Sequence, residues 1–535
     1  MKCPSCGGAL RFDIGRQCLV CVNCANTYDA DEYSVENGAD ASSWGEARMY
    51  RCRSCGAELL SMNDEAVSYC MYCGSEAVLE EEISGMNEPK RIIPFRIDKK
   101  ECRSIYRKAL EKKWYIPSEF KEEEFIERFR PFYIPYWMYS VKFREDPFTV
   151  KGYRDYTRGG YDYHEEYDIL TEIKQKGLYG VPYDASRNFD DLIAEDIAPF
   201  RKKDLIPFRS GYLAGMYADR PNVSPELYRK EVMDKAEEEA LSDIRKGLNM
   251  TSLKLPSGKK LSKLLDARYD GAEAVYLPVW FLTWRKGDRV AYAVVNGQTG
   301  KIHIDLPTDQ RVFLRNTVLA AILLFVLLSR FVSVTSRFVL WFSALLVYLA
   351  GRRYRKELKE IRDRENHVFD KGYLLSDEDE LSMSEKARSR TRMLSSIPLF
   401  RTIAGALTTI VISFAVLFGL AGLVSDELMT YEGAQALTFL ILIAETVLFV
   451  RSVLIARHLR RKRSILVMIL ALAAVVYSFV VAWQEPVYDW WYYAGSLVCL
   501  AAASIMCLDL IARYNETATR PLPSFYVREG GNDHA

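Results

Sequence analysis

Two stretches of this chain repeat one cysteine spacing 49 positions apart: CPSCGGALRFDIGRQCLVCVNC, residues 3–24, and CRSCGAELLSMNDEAVSYCMYC, residues 52–73. Superposed, Cys3 falls on Cys52, Cys6 on Cys55, Cys21 on Cys70 and Cys24 on Cys73, while Cys18 meets Val67. A CxxC pair sets two thiolates on one tight turn, and a hairpin between two such turns brings the pairs to opposite sides of a tetrahedral ion. The spacing therefore predicts two ligand sets, Cys3, Cys6, Cys21, Cys24 and Cys52, Cys55, Cys70, Cys73, with Cys18 left over on an apolar strand position. Pairing Cys18 with Cys21 instead would shorten the inner loop to eleven residues and break the repeat. A unit of about twenty-two residues is too small to fold on a hydrophobic core. Two structural Zn2+ ions would supply the folding energy, roughly 10–16 kcal/mol each in small finger peptides.

Nine of the twelve cysteines lie in the first 73 residues. Repeated CxxC pairs need reduced thiolates, and Met1 leads straight into the first knuckle without a signal peptide, so the N-terminus is expected in the cytoplasm. Zinc ribbons often bind nucleic acid, but residues 1–82 carry six Lys and Arg against fourteen Asp and Glu, a net of −8. Phosphate binding draws most of its affinity from basic groups. Protein contact is therefore the favoured role and nucleic-acid binding the disfavoured one.

Residues 29–49 read as an acidic linker between ribbon one (1–28) and ribbon two (50–82). Residues 88–311 read as an α+β cytoplasmic domain with an antiparallel sheet. Helices are expected over 100–113, over 118–129 with Ser118 as N-cap, and over 224–246 with Pro225 at its first position. Strands are expected over 132–144, 161–169, 275–284, 289–295 and 301–305, with a turn at Asn296-Gly297. IPFR occurs at 93–96 and again at 206–209, each followed later by a Pro-x-Trp strand, which suggests an internal duplication. His164-Glu165 fails as a metalloprotease start because Asp168 stands where a second histidine belongs, and Gly297–Lys301 lacks the Ser or Thr of a phosphate loop. No NTPase, hydrolase or oxidoreductase motif is found, and no small-molecule substrate is identified. The chain is expected not to be an enzyme.

The mean hydropathy of −0.11 hides a change of character after residue 311. Apolar blocks occur at 316–329, 338–351, 402–424, 434–456, 464–483 and 490–512. The last four have the ~20 residues that cross a bilayer. The expectation is an all-α membrane domain of about six transmembrane helices: a hairpin (313–351) that spans or re-enters, a charged cytoplasmic loop (352–398), four spans (399–513) and a cytoplasmic tail (514–535). Lys and Arg crowd 352–364, 386–392 and 457–463 and are absent from 425–433 and 484–490, which places both termini inside an inner membrane. Glu445 lies mid-span and is an intramembrane candidate by default.

The ribbons, with IIPFRIDK, YIPYW, GYLAGMYADR and VVNGQTGKI, resemble a family of bacterial tandem zinc-ribbon membrane proteins common in Firmicutes. Its members carry labels such as transcription-factor-IIB-type zinc-ribbon protein or, misleadingly, replication-restart helicase PriA. The resemblance covers roughly residues 1–311 and carries over only the eight paired cysteines as metal ligands. The helicase label fails here, since no Walker loop or motor domain is present. The expected function is a zinc-binding membrane protein whose cytoplasmic head recruits or scaffolds a protein partner. The alternatives are a transporter or channel component with Glu445 in its path, and a membrane-tethered nucleic-acid-binding protein.

Overall fold

The computed structural model describes residues 1–36, 48–61, 69–75, 80–82, 89–113, 115–172, 176–248, 263–328, 335–365, 431–459 and 461–523. Strands β1 (Leu10–Asp13) and β2 (Cys18–Cys21) form a hairpin, β3 (Thr27–Tyr28) adds to β2, and helix α1 (Ala30–Glu36) follows. These three strands make a small sheet of their own. β4 (Arg48–Arg51) and β5 (Glu58–Ser61) form the corresponding hairpin of the second repeat, with β6 (Glu80–Glu82) on β4. Unlike the first set, they join the main sheet.

The middle region runs β7 (Arg91–Ile92), α2 (Lys99–Glu111), α3 (Glu123–Ile126), β8 (Arg130–Lys142), β9 (Phe148–Arg158), β10 (Tyr161–Thr171), β11 (Gly177–Asp184), α4 (Asp191–Ile197), β12 (Ile206–Pro207), β13 (Tyr217–Asp219), α5 (Arg229–Leu248), β14 (Arg268–Lys286), β15 (Arg289–Asn296) and β16 (Ile302–Ile304). β8 and β14 pair antiparallel along their length and form the centre of a twelve-stranded sheet. β13 bridges two parts of it, lying parallel to β8 on one side and antiparallel to β5 of the second ribbon on the other. The second IPFR stretch pairs with the residues just before the first, Ile206 opposite Ile92 and Pro207 opposite Arg91.

Alternation along the central strands divides their side chains between two cores, because successive residues of a strand point to opposite faces. Tyr133, Tyr276, Trp280 and Leu282 belong to one core, with Phe95, Tyr106 of α2, and Leu10, Leu19 and Cys21 of the first ribbon. Phe132, Ile134, Val279 and Phe281 belong to the other, with Phe189, Ile193 of α4 and all four cysteines of the second repeat. A buried face on each side explains the aromatic density that the sequence shows here.

Some expectations need correction. The helix expected over 118–129 is a 3-10 turn at Ser118–Lys121 followed by the short α3, because Glu122 between them is extended (φ −70°, ψ 134°). Ser118 does not cap it. The helix expected from 224 begins as a 3-10 turn, Pro225–Tyr228, and Ser224 does accept from the Glu226 N–H. β9 was not anticipated. It pairs with β10 in a separate hairpin turned by Gly159 and Gly160, whose φ of 62° and 83° suit a tight two-residue turn.

After β16 come α6 (Gln310–Leu328), α7 (Ser336–Glu365), α8 (Tyr431–His458), α9 (Lys462–Gln484) and α10 (Trp490–Thr517), then β17 (Arg520–Pro521), which pairs with β15 of the head. Among the described residues three helices are long and apolar enough to cross a membrane, Gln435–His458, Lys462–Gln484 and Trp490–Thr517. Six such helices are not supported. The block 402–424 lies outside the described residues, and α7 runs through Gly351 straight into the charged segment. Its apolar part, about 15 residues or ~22 Å, falls short of a hydrocarbon core of ~30 Å.

Candidate metal centres

Each CxxC turn is built the same way. The N–H four residues after the leading cysteine donates to that cysteine's carbonyl: Gly7 to Cys3 (2.8 Å), Ala25 to Cys21 (3.1 Å), Gly56 to Cys52 (2.7 Å) and Gly74 to Cys70 (2.9 Å). The leading cysteine's own N–H returns to the fifth carbonyl, Gly8, Asn26, Ala57 and Ser75 respectively. The fourth residue then needs a positive φ: 70° at Gly7, 77° at Gly56, 66° at Gly74 and 59° at Ala25. Glycine meets that demand without strain, and Ala25 meets it with a side chain.

The turns converge as two clusters, Cys3, Cys6, Cys21, Cys24 and Cys52, Cys55, Cys70, Cys73, each with its sulfurs within 4.8 Å of one another. Facing sulfurs stand 3.6 Å (Cys3–Cys24) and 3.4 Å (Cys6–Cys21) apart in the first. The second has 3.6 Å (Cys52–Cys73) and 3.7 Å (Cys55–Cys70). Four sulfurs at about 2.3 Å from a tetrahedral ion lie about 3.8 Å from one another, so both donor sets fit such an ion. Cys18 is outside the cluster. It sits at the start of β2 opposite Asp13, and burial together with the Asp13 charge pushes its thiol up, which favours the protonated form.

The surroundings of the two clusters differ. In the first, Cys6 and Cys24 are exposed and Cys3 and Cys21 buried. The Tyr28 hydroxyl lies 3.2 Å from Cys3 Sγ, and the Asn23 N–H donates to Cys21 Sγ at 3.4 Å. In the second all four cysteines are buried. Tyr72, between Cys70 and Cys73, donates its hydroxyl to Asp219 of β13, and its carbonyl accepts from the Tyr292 hydroxyl (2.5 Å). Thr283 Oγ1 donates to the Met71 carbonyl, and the Tyr69 hydroxyl to the Thr283 carbonyl (2.7 Å). Asp219 also accepts from Ser186, from Asn188 Nδ2 (3.1 Å) and from the Arg220 N–H (2.8 Å). Burial raises its carboxyl to about 6, against the pull of these donors. No local motif marks Asp219. Its position in GYLAGMYADR gave no sign that it closes a network on the second knuckle.

Glu445 lies in α8, fully buried, and neither carboxylate oxygen has a hydrogen-bond partner among the described residues. It faces Gly351 of α7, where an added Cβ would stand 3.5 Å from each oxygen. Asp509 of α10, also buried, is paired with Arg463 (3.1 Å) and Arg513 (3.6 Å).

A second cluster of charge joins head to helices. Arg520 of β17 pairs with Asp190 and with Asp305 (3.3 Å), and its guanidinium lies 5.5 Å from the centre of the Tyr292 ring. Arg289 of β15 donates to Thr519 Oγ1 (2.6 Å) and to the Glu516 carbonyl at the end of α10 (2.5 Å).

No family model matches the chain, and no solved structure matches it. Over 307 residues, 56% of this chain and 88% of the other, it is 29% identical to the uncharacterized protein YdjG of Bacillus subtilis (strain 168). The chain is thus similar to a bacterial protein without an assigned role, and it pairs two four-cysteine clusters with a sheet-rich head and a region of apolar helices.

Proposed function

We propose that the protein is a zinc-folded scaffold anchored in the inner membrane, with two structural Zn2+ ions held by the two cysteine quartets and a cytoplasmic head that receives a protein partner. The observation that carries this reading is the pair of four-sulfur clusters of tetrahedral size on identical turns. Four thiolates on one ion leave no open coordination position, which fits a structural role rather than a catalytic one. With no nucleophile or cofactor motif in the sequence, the non-enzymatic reading is retained.

Anchoring is supported by how the helix ends meet. The Thr308 N–H donates to Asn515 (2.7 Å), Arg364 donates to the Thr517 carbonyl, and Arg461 pairs with Glu516 (3.0 Å). The start of α6 and the ends of α7, α8 and α10 thus share the end next to the head. Ser336 donates to Asp489 (2.8 Å) and Gln435 to Glu485 (2.7 Å) at the opposite end. Arg352, Arg353, Arg355, Lys356, Arg457, Lys462 and Arg463 fall at the head end, while 484–490 carries no Lys or Arg, which favours a cytoplasmic head.

Glu445, whose carboxylate has no hydrogen-bond partner among the described residues, favours a second reading, a transporter or channel component, since an intramembrane carboxylate is costly unless used. The net charge of −8 over 1–82 speaks against nucleic acid. Capture of the tagged full chain from its own cells tests the scaffold. Proteins retained by the native chain and lost from a Cys52→Ser, Cys55→Ser variant are expected. Identical sets from both would reject it, and full activity of Glu445→Gln in complementing a deletion would remove the transporter reading.

A further inference from the structure

The two quartets share donors and turns, yet differ in what can reach them. Resting on the zinc reading above, we propose that the first quartet is a modification site, where Cys6 and Cys24 are thiolates open to peroxides and soft electrophiles, so that its metal is released on demand while the second quartet keeps its own. Cys6 and Cys24 are exposed, whereas every cysteine of the second quartet is buried. A metal-bound thiolate is still a nucleophile, and access decides whether it reacts.

The protein around each site fits this division. The first ribbon packs against the head through the core that includes Cys3 and Cys21. Its Phe12 N–H donates to the Ala214 carbonyl (2.9 Å), Gln17 Nε2 to the Phe95 carbonyl (2.7 Å), and the Phe12 and Tyr212 rings lie 5.1 Å apart. Those contacts cover Cys3 and Cys21 and leave Cys6 and Cys24 outward. The second knuckle is enclosed: Tyr72 packs edge-on against Phe132 (5.8 Å) and Phe281 (5.9 Å), and its carbonyl is taken by Tyr292. An electrophile reaches those sulfurs only if the sheet core opens.

The sulfur pairs also define the product. The Cys6 thiolate attacks the O–O bond of hydrogen peroxide; the S–O bond forms, the O–O bond breaks, and hydroxide leaves with the electron pair, giving a sulfenic acid. Cys21, 3.4 Å away, then attacks the Cys6 sulfur; the S–S bond forms and a second hydroxide leaves. Two thiolates are oxidised by two electrons, one peroxide is reduced to two hydroxides that the buffer protonates to water, and the disulfide would leave a bound ion with only two of four thiolate ligands. Cys24 and Cys3, at 3.6 Å, offer the same route.

The test uses the full chain purified in detergent with zinc bound. It is treated with N-ethylmaleimide while a chromophoric chelator reports free zinc, and adducts are mapped by peptide mass. The expected result is one equivalent of zinc released faster than the other by a factor on the order of ten or more. The early phase carries adducts on Cys6 and Cys24. Adducts on Cys18 or Cys507 accompany no release. With hydrogen peroxide, the early product is a Cys6–Cys21 or Cys3–Cys24 disulfide. Release of both equivalents at one rate, or first adducts within Cys52–Cys73, overturns the proposal. A Cys6→Ser variant should show only the slow phase, and a fast phase surviving in it would also overturn the proposal. Less than two zinc ions in the untreated chain is a separate result, which rejects the zinc reading itself.

Discussion

In the head, the largest apolar side chains point inward: Tyr106, Tyr133, Phe95, Phe129 and Phe281 are fully buried between sheet and helices. The helical region buries Trp341, Tyr354 and Leu358 as well, but it also turns many large apolar side chains outward. Leu466, Leu497 and Trp483 are 66%, 69% and 66% exposed, while Ser452, Ser464, Ser478, Ala471, Ala474 and Ala502 fill the interior. A body in water cannot present such a surface without aggregating, whereas a body in lipid gains nothing by hiding leucine and packs on small residues instead. The two regions are thus held by different forces. Hydrophobic burial holds the head, to which the proposed zinc sites would add metal–thiolate bonds, and close approach at small residues holds the helices. Gly495 illustrates the second kind, since a Cβ there would come within 2.6 Å of Leu340.

The largest effect expected from this contrast follows loss of the second metal. Cys70→Ser removes a ligand buried in the sheet core, and much of the roughly 10–16 kcal/mol that metal binding contributes in isolated fingers is then lost to the head. The head should become sensitive to protease while the far-ultraviolet helical signal persists; loss of both together would break the comparison. Next is the join between the regions. Arg520→Ala leaves Asp190 and Asp305 without their shared cation, and removing one partner of a buried pair costs about 3–5 kcal/mol. Cleavage near residue 518 and a lower denaturant midpoint for the head are expected, with zinc content unchanged.

On the helical side, Gly495→Leu forces a side chain against Leu340, and overpacking of this sort costs about 1–3 kcal/mol. Helix melting in detergent should shift down while the head's protease resistance stays native. A smaller effect is expected at Asp219. Its folded carboxyl is raised from 3.8 to about 6, so the native state holds its proton more tightly than the unfolded chain. That contribution is present at acid pH and is lost as pH rises across this window. Urea midpoints of the native chain should therefore fall more steeply across it than those of Asp219→Asn, and parallel curves would show that the carboxyl is not perturbed.

Local patterns were legible in the sequence because their causes are local. The 49-residue offset isolates Cys18, and the alternation of 161–169 gives a strand inside β10. Long-range pairing was not legible. β5 meets β13 through Leu59 opposite Asp219, and nothing near either residue encodes the partner. The second ribbon read as a separate small unit for that reason, although its strands extend the main sheet. β17 was missed because two residues after a long helix carry no period, and Arg520 between Asp190 and the buried Asp305 reveals the strand's place. Helix propensity over 118–129 was real but yielded to the extended Glu122 that lets Phe120 and Ile126 both reach the core.

The central claim is that two separate tetrathiolate sites shape the head, and the zinc content of the purified full chain tests it most directly. The account predicts two ions per chain in the native protein and in Cys18→Ala, one in Cys21→Ser and one in Cys70→Ser. A native content below two, a loss of zinc in Cys18→Ala, or two ions retained in either ligand variant would contradict it.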